Sequence, residues 1–463
     1  MRRWADHPAA AWVLAGLALV LAAAGARPFA GGYNDGSRLA TAESLIDRGT
    51  LAIDDSVFLG TQAVPDAPLV YRSGPPLVPI HGTLDRVRID GHFYSDKPMV
   101  PAVLTAGAYR VLMAFGLPRP DERPDVFCRV ATILTCGLGY AAAVGCLWVL
   151  GTRAGLAPVW RLVWLAGFAL ATVLPAYTRH VNSGVPQAAA VAGLAVLLSR
   201  AAGAVGHTPW GSLAGAGFLA GFGYTLDGGS GPPLLAAAVL AVIVRTRRIA
   251  PTAVFLLAAL PWVAAHHALN HAVGRVWVPL GMVPEFLDWP GSPFNESNMT
   301  GVARHSASGL AAYAFALLLG TDGFLLFNLP LLLAVAAGWL VLLRRGPDRV
   351  ELAALVGWCV VTWAVYVVLS DNAGGGCLSV RWFVPFLVPG FWVLARLLAE
   401  RPTFRWDFLA LAGWGLVIGW QTWLLGPWPF DLVPDMRPIA WAALGTWAAV
   451  RGVEVVRRLV RPG

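Results

Sequence analysis

Apolar residues run in long segments along most of this chain, and short polar stretches separate them. A helix needs about 20 mainly apolar residues to cross a bilayer. One such segment lies near residues 9–23, and the others lie at about 98–116, 129–150, 162–177, 184–200, 211–225, 231–244, 250–267, 324–343, 350–369, 382–398, 407–425 and 436–450. The pattern predicts an all-α integral membrane protein, a polytopic bundle of about 11–13 transmembrane helices.

The longest polar stretch, residues 27–98, contains no segment able to cross a membrane. Within it, Ser37 to Arg48 has apolar residues at helical spacing, which predicts an amphipathic helix along the membrane surface, ended by Gly49. Asn34-Asp35-Gly36, just before it, is also a good turn sequence. The first apolar segment is interpreted as an uncleaved anchor, with a cleaved signal peptide as the alternative.

Arginine clusters fix an expected orientation, because basic residues concentrate in cytoplasmic loops. The clusters lie at Arg245–Arg248, Arg344–Arg349, Arg401–Arg405 and Arg457–Arg461. Loops 27–98, 268–310 and 370–381 then lie on the opposite, extracytoplasmic side. The first loop and Arg245 are expected on opposite sides of the membrane, so an odd number of helices must cross between them. Six candidate segments are present there, so one of them must fail to cross. The weakest are 162–177 and 211–225, and residues 310–321 are expected to form a helix that does not cross.

Composition excludes a soluble domain, since 57% of the 463 residues are hydrophobic and 13% are charged. Soluble domains carry roughly 25% charged residues. The net charge of +8 comes from arginines between apolar segments rather than from a continuous basic face, so no nucleic-acid partner is expected. Five scattered cysteines do not suggest a disulfide framework. Lys97 is the only lysine, which hints at a chemical requirement.

Candidate chemistry concentrates in the loops expected on one side of the membrane. Each residue also has a structural explanation: Lys97 and Arg381 could anchor helix ends, and His180 and His305 could be ordinary buried polar groups. A histidine cluster in residues 266–271 lacks a carboxylate at useful spacing, which argues against a metal there. Together, a carboxylate, a lysine and an arginine beside a large apolar body suit a substrate with a phosphate head and a lipid tail.

Three stretches of the first loop resemble the multi-spanning glycosyltransferases that use polyprenyl-phosphate sugars. The stretches are Asn34-Asp35-Gly36-Ser37-Arg38-Leu39-Ala40, Ser44-Leu45-Ile46-Asp47-Arg48-Gly49-Thr50-Leu51 and Tyr94-Ser95-Asp96-Lys97-Pro98. The stretch from Gly374 to Pro385 is also similar to a loop and helix start in bacterial relatives. This is the GT-C superfamily, which includes aminoarabinose transferases and protein mannosyltransferases.

The resemblance implies that Asp35 is the catalytic carboxylate and that Lys97 and Arg381 stabilise the leaving lipid phosphate. It implies a single inverting displacement. Further substrate-binding residues are expected among Asn34, Arg38, Tyr94, Asp96, Arg179, His180 and His305. No metal ligand is assigned, and a divalent cation stays open as a cofactor. One departure is Gly36, where the family often has a second acid; this leaves open an altered or inactive site.

The expected protein is a bacterial inner-membrane glycosyltransferase with its active site on the periplasmic or extracellular face. Residues 1–400 would form the catalytic module with loop 27–98, and residues 401–463 would add C-terminal transmembrane helices. The expected partners are a polyprenyl-phosphate sugar donor, a lipid, glycan or protein acceptor, and the bilayer. The alternatives are a transporter or flippase of lipid-linked glycans, which would need charges near the bilayer midplane, and a catalytically inactive scaffold.

Overall fold

The fold was obtained as a computed structural model that describes residues 9–59, 82–203, 208–294, 306–344, 346–375, 377–428 and 435–460. Helices dominate these residues, and one two-stranded antiparallel hairpin is present among them. The elements are α1 Ala9–Gly25, α2 Tyr33–Asp47, β1 Arg86–Ile89, β2 His92–Ser95, α3 Met99–Met113, α4 Pro124–Arg153, α5 Pro158–Leu170, α6 Leu174–Tyr177, α7 Gly184–Ala202, α8 Trp210–Tyr224, α9 Gly231–Thr246, α10 Ile249–Gly274, α11 Pro284–Leu287, α12 Ala307–Leu319, α13 Phe324–Phe327, α14 Pro330–Ala337, α15 Trp339–Leu342, α16 Arg349–Leu369, α17 Leu387–Glu400, α18 Arg405–Leu425 and α19 Arg437–Val460. The predicted all-α polytopic membrane fold is confirmed.

Helices α1 and α4 establish the two faces of the bundle. Gly137 of α4 lies against the side chains of Leu19 and Ala22, whereas Gly145 lies against Ala15, so the two helices run antiparallel. A π-helical turn, Ile133–Gly137, interrupts α4 beside the end of α1. The face at which α1 ends is called the loop face below, and the opposite face is called the arginine face.

Helix α3 resolves the odd-number problem in the predicted topology. Because α4 enters the bundle beside the end of α1, everything between them begins and ends on the loop face. Contacts agree: Arg110 near the end of α3 donates to the Leu45 and Ile46 carbonyls of α2, and Arg119 donates to the Asp47 carbonyl. The non-crossing candidate is therefore 98–116, and the suspicion of 162–177 and 211–225 was wrong. Hydropathy missed this because Val103, Leu104, Val111 and Phe115 form an exposed apolar face on α3.

Residues 307–327 are long and apolar enough to cross a membrane, but both ends stay near the loop face. The Tyr313 hydroxyl lies 3.1 Å from the backbone nitrogen of Ala373, in the loop after α16. Beyond α13, the Asn328 side chain accepts a hydrogen bond from the Val173 backbone after α5. The expectation of a helix here that does not cross agrees with these contacts.

Ion pairs and hydrogen bonds join helix ends at the arginine face. Arg153 donates to Ser199, Arg245 pairs with Glu351, and Arg451 pairs with Asp407. Within the described ranges, the segments that run between the two faces are α1, α4, α5, α7, α8, α9, α10, α14 with α15, α16, the 3₁₀ turn Arg381–Phe386 with α17, α18 and α19. Seven of the described helices are long and apolar enough on their own to cross a membrane, so the count of 11–13 stays a prediction. Among the segments named above, an odd number separates the first loop from Arg245.

Small residues allow a close contact between the helices α8 and α10. A Cβ atom at Gly217 would lie 2.0 Å from the Phe255 carbonyl oxygen, and one at Gly221 would lie 2.6 Å from the Ala259 carbonyl oxygen. Glycines four residues apart lie on one helix face, so two backbones can approach there. Residues 211–225, a weak candidate by hydropathy, therefore belong to a tightly packed helix pair.

Helix α2 differs from its prediction in position. It begins at Tyr33, so Asn34-Asp35-Gly36 forms its first turn rather than a separate loop, and most of its residues are buried. The hairpin, α3 and the start of α4 cover it, which sequence periodicity could not reveal. The predicted end is confirmed, because Gly49 follows the helix with φ +70°, a conformation that favours glycine.

Candidate functional site

The β-hairpin brings Lys97 against α2. An Asp90-Gly91 turn with positive φ at both residues connects the two strands, as two-residue hairpins require. The Ser37 hydroxyl of α2 then contacts the Ser95 hydroxyl at 2.6 Å and donates to the Asp85 carbonyl at 2.5 Å.

Lys97 lies between two carboxylates at this junction. Its ammonium is 2.8 Å from Asp85 Oδ2 and 2.7 Å from Asp96 Oδ2, and the side chain is 14% exposed. Burial raises the pKa of the Asp96 carboxyl, the Lys97 charge opposes this, and Oδ1 of Asp96 has no hydrogen-bond partner among the described residues. Lys97 is therefore part of a buried charge cluster rather than a freely exposed helix anchor.

Arg38 is a buried cation with unused hydrogen-bonding capacity. It is 7% exposed, and its Nε donates to Asn34 Oδ1 at 3.3 Å. Its Nη1 is buried without a hydrogen-bond partner within the described part of the chain. Burial lowers the pKa of Arg38 and Arg381 lowers it further, whereas Asp227 and Asp96 raise it. Burying an unsatisfied charged donor is costly, so this guanidinium is prepared for an anion.

Arg381 brings a third cation to the same region, from the start of the 3₁₀ turn Arg381–Phe386. Its guanidinium lies 5.7 Å from the centre of the Trp428 ring. Among the described residues it has no hydrogen bond and no ion pair. Asp85 lies within electrostatic range of it. The structure thus brings together Arg38, Asp96, Lys97 and Arg381, with Asn34 attached through Arg38.

Asp35 occupies a different, enclosed position. Its Oδ2 accepts a hydrogen bond from the Gly31 backbone at 2.6 Å, and its Oδ1 accepts one from Gly32 at 2.7 Å. His180 Nδ1 lies 3.0 Å from Oδ2, and Asp35 is fully buried. A Cβ atom at Gly31 would lie 2.5 Å from His180 Cε1, so glycine makes room for the ring. Both Asp35 oxygens are therefore already occupied by hydrogen bonds within the described residues.

Gly36 marks the departure from the family's pair of acids. A Cβ atom there would lie 3.4 Å from Cβ of Thr83, whose hydroxyl donates to the Tyr33 carbonyl. The loop before the hairpin therefore packs where the family often has a second carboxylate.

Arg179 holds helix ends together. Its guanidinium donates to the carbonyls of Gly25, Trp423 and Leu424, and it stacks 5.1 Å from the Trp423 ring. Burial lowers its pKa to about 10, with Arg27 adding to the effect, so it stays charged at neutral pH. These contacts join α18 to the end of α1, and they occupy the side chain away from the cation cluster.

The remaining predicted residues lie apart from the cluster or outside the described chain. Tyr94 and Ser95 are successive strand residues and point to opposite faces of the hairpin. Ser95 faces Ser37, so Tyr94 points away from it. His305 lies outside the described residues. Within the described ranges, no group of three His, Cys, Asp or Glu side chains is arranged to hold a metal ion.

An apolar groove begins at Arg38 and continues into the bundle. Its first cavity, of about 530 Å³, passes between α2, α3, α4, α7 and α8. A second cavity of about 890 Å³ extends towards the arginine face along α1, α4 and α7. The two share lining residues, namely Leu138, Ala142, Cys146, Gly193 and Leu219. A charged head at the loop face can therefore be continuous with a long apolar tail.

Sequence reasoning missed Asp227, in the loop between α8 and α9. Its carboxylate acts electrostatically on Arg38 and accepts a hydrogen bond from the Tyr366 hydroxyl at 2.6 Å. The signal available in sequence was an acid followed by Gly228-Gly229-Ser230-Gly231 between two apolar segments. Such a run predicts a tight turn as readily as a site, so it does not reveal the electrostatic effect on Arg38.

Comparison with known proteins adds structural similarity only. No family model matches the chain, and no curated protein matches it. A crystal structure of ArnT from Cupriavidus metallidurans bound to undecaprenyl phosphate gives a TM-score of 0.49 at 12% identity, covering 95% of this chain and 75% of that chain. Its apo form gives 0.48 at 13% identity, covering 96% and 76%. Identity this low leaves the reaction to the chain's own side chains.

Proposed function

We propose that the protein transfers a sugar from a polyprenyl-phosphate donor to an acceptor at the loop face, by a single inverting displacement. The observation that carries the proposal is the groove whose mouth holds Arg38. A phosphate joined to a long apolar chain matches this combination of a buried, partly unsatisfied guanidinium and an apolar passage. Lys97 and Arg381 bring further positive charge to the phosphate end, in line with the family resemblance.

The three cations have a definite task in this reaction. The acceptor oxygen attacks the anomeric carbon, the bond from that carbon to the phosphate oxygen breaks, and its electron pair stays on the phosphate. The leaving polyprenyl phosphate gains negative charge as the bond breaks. Fixed cations in a water-poor site stabilise such charge at little cost in reorganisation. Arg38 suits two-pronged contact with phosphate oxygens, and Lys97 acts as a point charge.

The resemblance assigns the acceptor's proton to Asp35. Because Gly31, Gly32 and His180 enclose that carboxylate, an acceptor would reach it only after these contacts open. If Asp35 is the base, Asp35→Asn should abolish transfer and leave donor binding intact. If Asp35→Asn loses both folding and donor binding, the result would instead support the structural role described above. If the protein is a scaffold without catalysis, wild type and Asp35→Asn should assemble with its partners equally well.

The proposed location follows from the arginine face. Its basic helix ends are expected in the cytoplasm, which would put the site on the periplasmic or extracellular side of a bacterial inner membrane. The acceptor there is a lipid, glycan or protein hydroxyl. A single cysteine introduced at Asp90, in the hairpin turn, should react with a membrane-impermeant maleimide in intact cells; labelling only after cell lysis would reverse the orientation.

The test of the function is donor binding in lipid nanodiscs. Undecaprenyl phosphate and a panel of its sugar esters are titrated against wild type, Lys97→Ala and, as a control, Arg88→Ala, which removes an exposed loop-face cation. A charged hydrogen bond is worth roughly 1.5–3 kcal/mol, so Lys97→Ala should weaken binding about ten-fold or more. Equal binding by wild type and Lys97→Ala, or no binding at all, would overturn the proposal and favour the transporter and scaffold alternatives.

A further inference from the structure

The carboxylate of Asp227 is held rigidly through one oxygen. Its Oδ1 accepts hydrogen bonds from the Gly229 backbone at 3.0 Å, from the Ser230 backbone at 2.9 Å and from the Tyr366 hydroxyl at 2.6 Å. The Ser230 hydroxyl donates to the same oxygen at 3.0 Å. The other oxygen, Oδ2, has no hydrogen-bond partner among the described residues, and Asp227 is half-buried rather than enclosed.

The residues around Asp227 hold its carboxylate in this orientation. Tyr366 stacks on Trp382 with ring centres 4.0 Å apart, and a Cβ atom at Gly229 would lie 2.4 Å from Cζ of Tyr366. Only a glycine at that position allows the hydroxyl to reach the carboxylate. The Gln187 side-chain amide donates from Nε2 to the Ser230 hydroxyl at 2.7 Å, which fixes the loop against α7. The carboxylate is therefore preorganised.

Asp227 also lies at the mouth of the groove. Its neighbour Leu226 lines the first cavity together with Arg38. A Cβ atom at Gly228 would lie 3.3 Å from Cε of Met282, and one at Gly281 would lie 2.9 Å from the Asp96 carbonyl oxygen. These neighbours place Asp227 in the region of Asp96 and of the nine-tenths-buried Arg38, whose Nη1 has no hydrogen-bond partner among the described residues.

We propose that Asp227, through Oδ2, is the general base of the transfer, an inference that rests on the proposed function. The acceptor hydroxyl donates its proton to Oδ2 while its oxygen forms the bond to the anomeric carbon. The bond from that carbon to the phosphate breaks, and the phosphate keeps the electron pair beside Arg38. Unlike Asp35, Asp227 has an oxygen available without rearrangement, and Tyr366 holds it in place.

A purely structural explanation of Asp227 exists and can be separated from the proposal. The Asp227 carbonyl accepts from Gly231, and its side chain accepts from the Gly229 and Ser230 amides, so Asp227 caps the turn that leads into α9, whose own N-cap position is Ser230. Asparagine caps helices about as well as aspartate, so Asp227→Asn keeps the cap and removes the base. Tyr366→Phe removes one donor to Oδ1 and leaves the carboxylate.

The experiment measures release of undecaprenyl phosphate from its sugar esters in proteoliposomes that contain a lipid and glycan extract as acceptor source. A general base contributes typically 10²–10⁴-fold, so Asp227→Asn should lower kcat by about that factor. Tyr366→Phe, which keeps the carboxylate, should lower kcat less than Asp227→Asn does. Asp288→Asn, an exposed loop-face acid, is the control and should retain wild-type kcat.

Binding separates failure of this inference from failure of the function. Undecaprenyl phosphate should bind Asp227→Asn at least as tightly as wild type, because an anion near the phosphate is removed. If Asp227→Asn keeps the kcat of wild type, or if only its KM changes, Asp227 is not the general base. Turnover by the wild-type protein would still support the proposed transfer reaction. If Asp227→Asn loses turnover but keeps the melting temperature of wild type, the result supports Asp227 as the general base. If it loses turnover together with thermal stability and undecaprenyl-phosphate binding, the result overturns that role in favour of the structural cap. Absence of wild-type turnover and of undecaprenyl-phosphate binding overturns both proposals.

Discussion

The carboxylate of Asp35 lies 3.0 Å from Nδ1 of His180, and the pair joins the first turn of α2 to the loop after α6. Both residues are nearly inaccessible, and Asp35 also accepts two backbone hydrogen bonds. The contact holds His180 in one orientation against Gly31. A residue that the sequence resemblance marks as catalytic is therefore also a centre of local structure.

Replacing Asp35 with asparagine should destabilise the protein. The amide has one acceptor oxygen where the carboxylate has two, so one of the Gly31 and Gly32 amides loses its partner. Leaving a buried donor unsatisfied costs roughly 1–3 kcal/mol. Thermal unfolding in detergent should show a lower melting temperature for Asp35→Asn. A double-mutant cycle with His180→Gln should give a coupling energy clearly different from zero, whereas additive effects would mean that the 3.0 Å contact contributes nothing.

Arg179→Ala should destabilise the protein without a specific effect on donor binding. The change strands the carbonyls of Gly25, Trp423 and Leu424 and removes a ring contact, so a loss of about 3 kcal/mol or more is expected. Arg179→Lys keeps the charge but cannot reach all three carbonyls, and it should fall between wild type and alanine. Binding per folded molecule is the decisive measurement: a ten-fold loss in Arg179→Lys with an unchanged melting temperature would restore the sequence-based assignment of Arg179 to the substrate.

The sequence predicted the membrane class, the loop elements and three of the clustered cations because each leaves a local pattern. Lys97 stands out as the only lysine, and Arg38 lies one helical turn after Asn34. Asp227 leaves no such pattern, since its electrostatic effect on Arg38 depends on where the loop between α8 and α9 lies in the folded protein. The sequence also did not show that α3 stays on the loop face, for a related reason. An apolar helix at the membrane interface and one that crosses the bilayer can have the same composition. Contacts of α3 and the following loop with Asp47 and its neighbours distinguish the two cases.

Asp47 should make stability depend on pH. Burial raises the pKa of its carboxyl to about 6, the charges of Asp121 and Glu43 add to this, and Arg119 opposes it. The ordinary value of about 3.9 applies in the unfolded chain. The folded state then holds the proton more tightly, so its stability relative to the unfolded state falls as pH rises from about 4 to 6 and stays lower above.

Asp47→Asn removes this titration. Melting temperatures of variant and wild type should be similar near pH 4.5, and the variant should be the more stable at pH 7.5, since the lost Arg119 contact is half-exposed and weak. Glu122→Gln, an exposed change in the neighbouring loop, is the control and should follow wild type. A difference between Asp47→Asn and wild type that stays constant over this range would contradict the raised pKa.

Blocking the groove should discriminate between lipids by length. Ala142 lines both cavities where they join, so Ala142→Trp would fill the passage without touching Arg38, Lys97 or Arg381. Each buried methylene contributes about 0.8 kcal/mol, so excluding even two methylenes of a long tail lowers affinity roughly ten-fold. Undecaprenyl phosphate should bind the variant much more weakly, whereas geranyl phosphate, whose tail ends near the mouth, should bind as it does to wild type.

Ala336→Trp, an exposed change on α14 outside both cavities, is the matched control. If Ala142→Trp binds the long and the short phosphate as wild type does, the tail does not follow this groove; equal loss for both would instead show that the substitution disturbs the phosphate end.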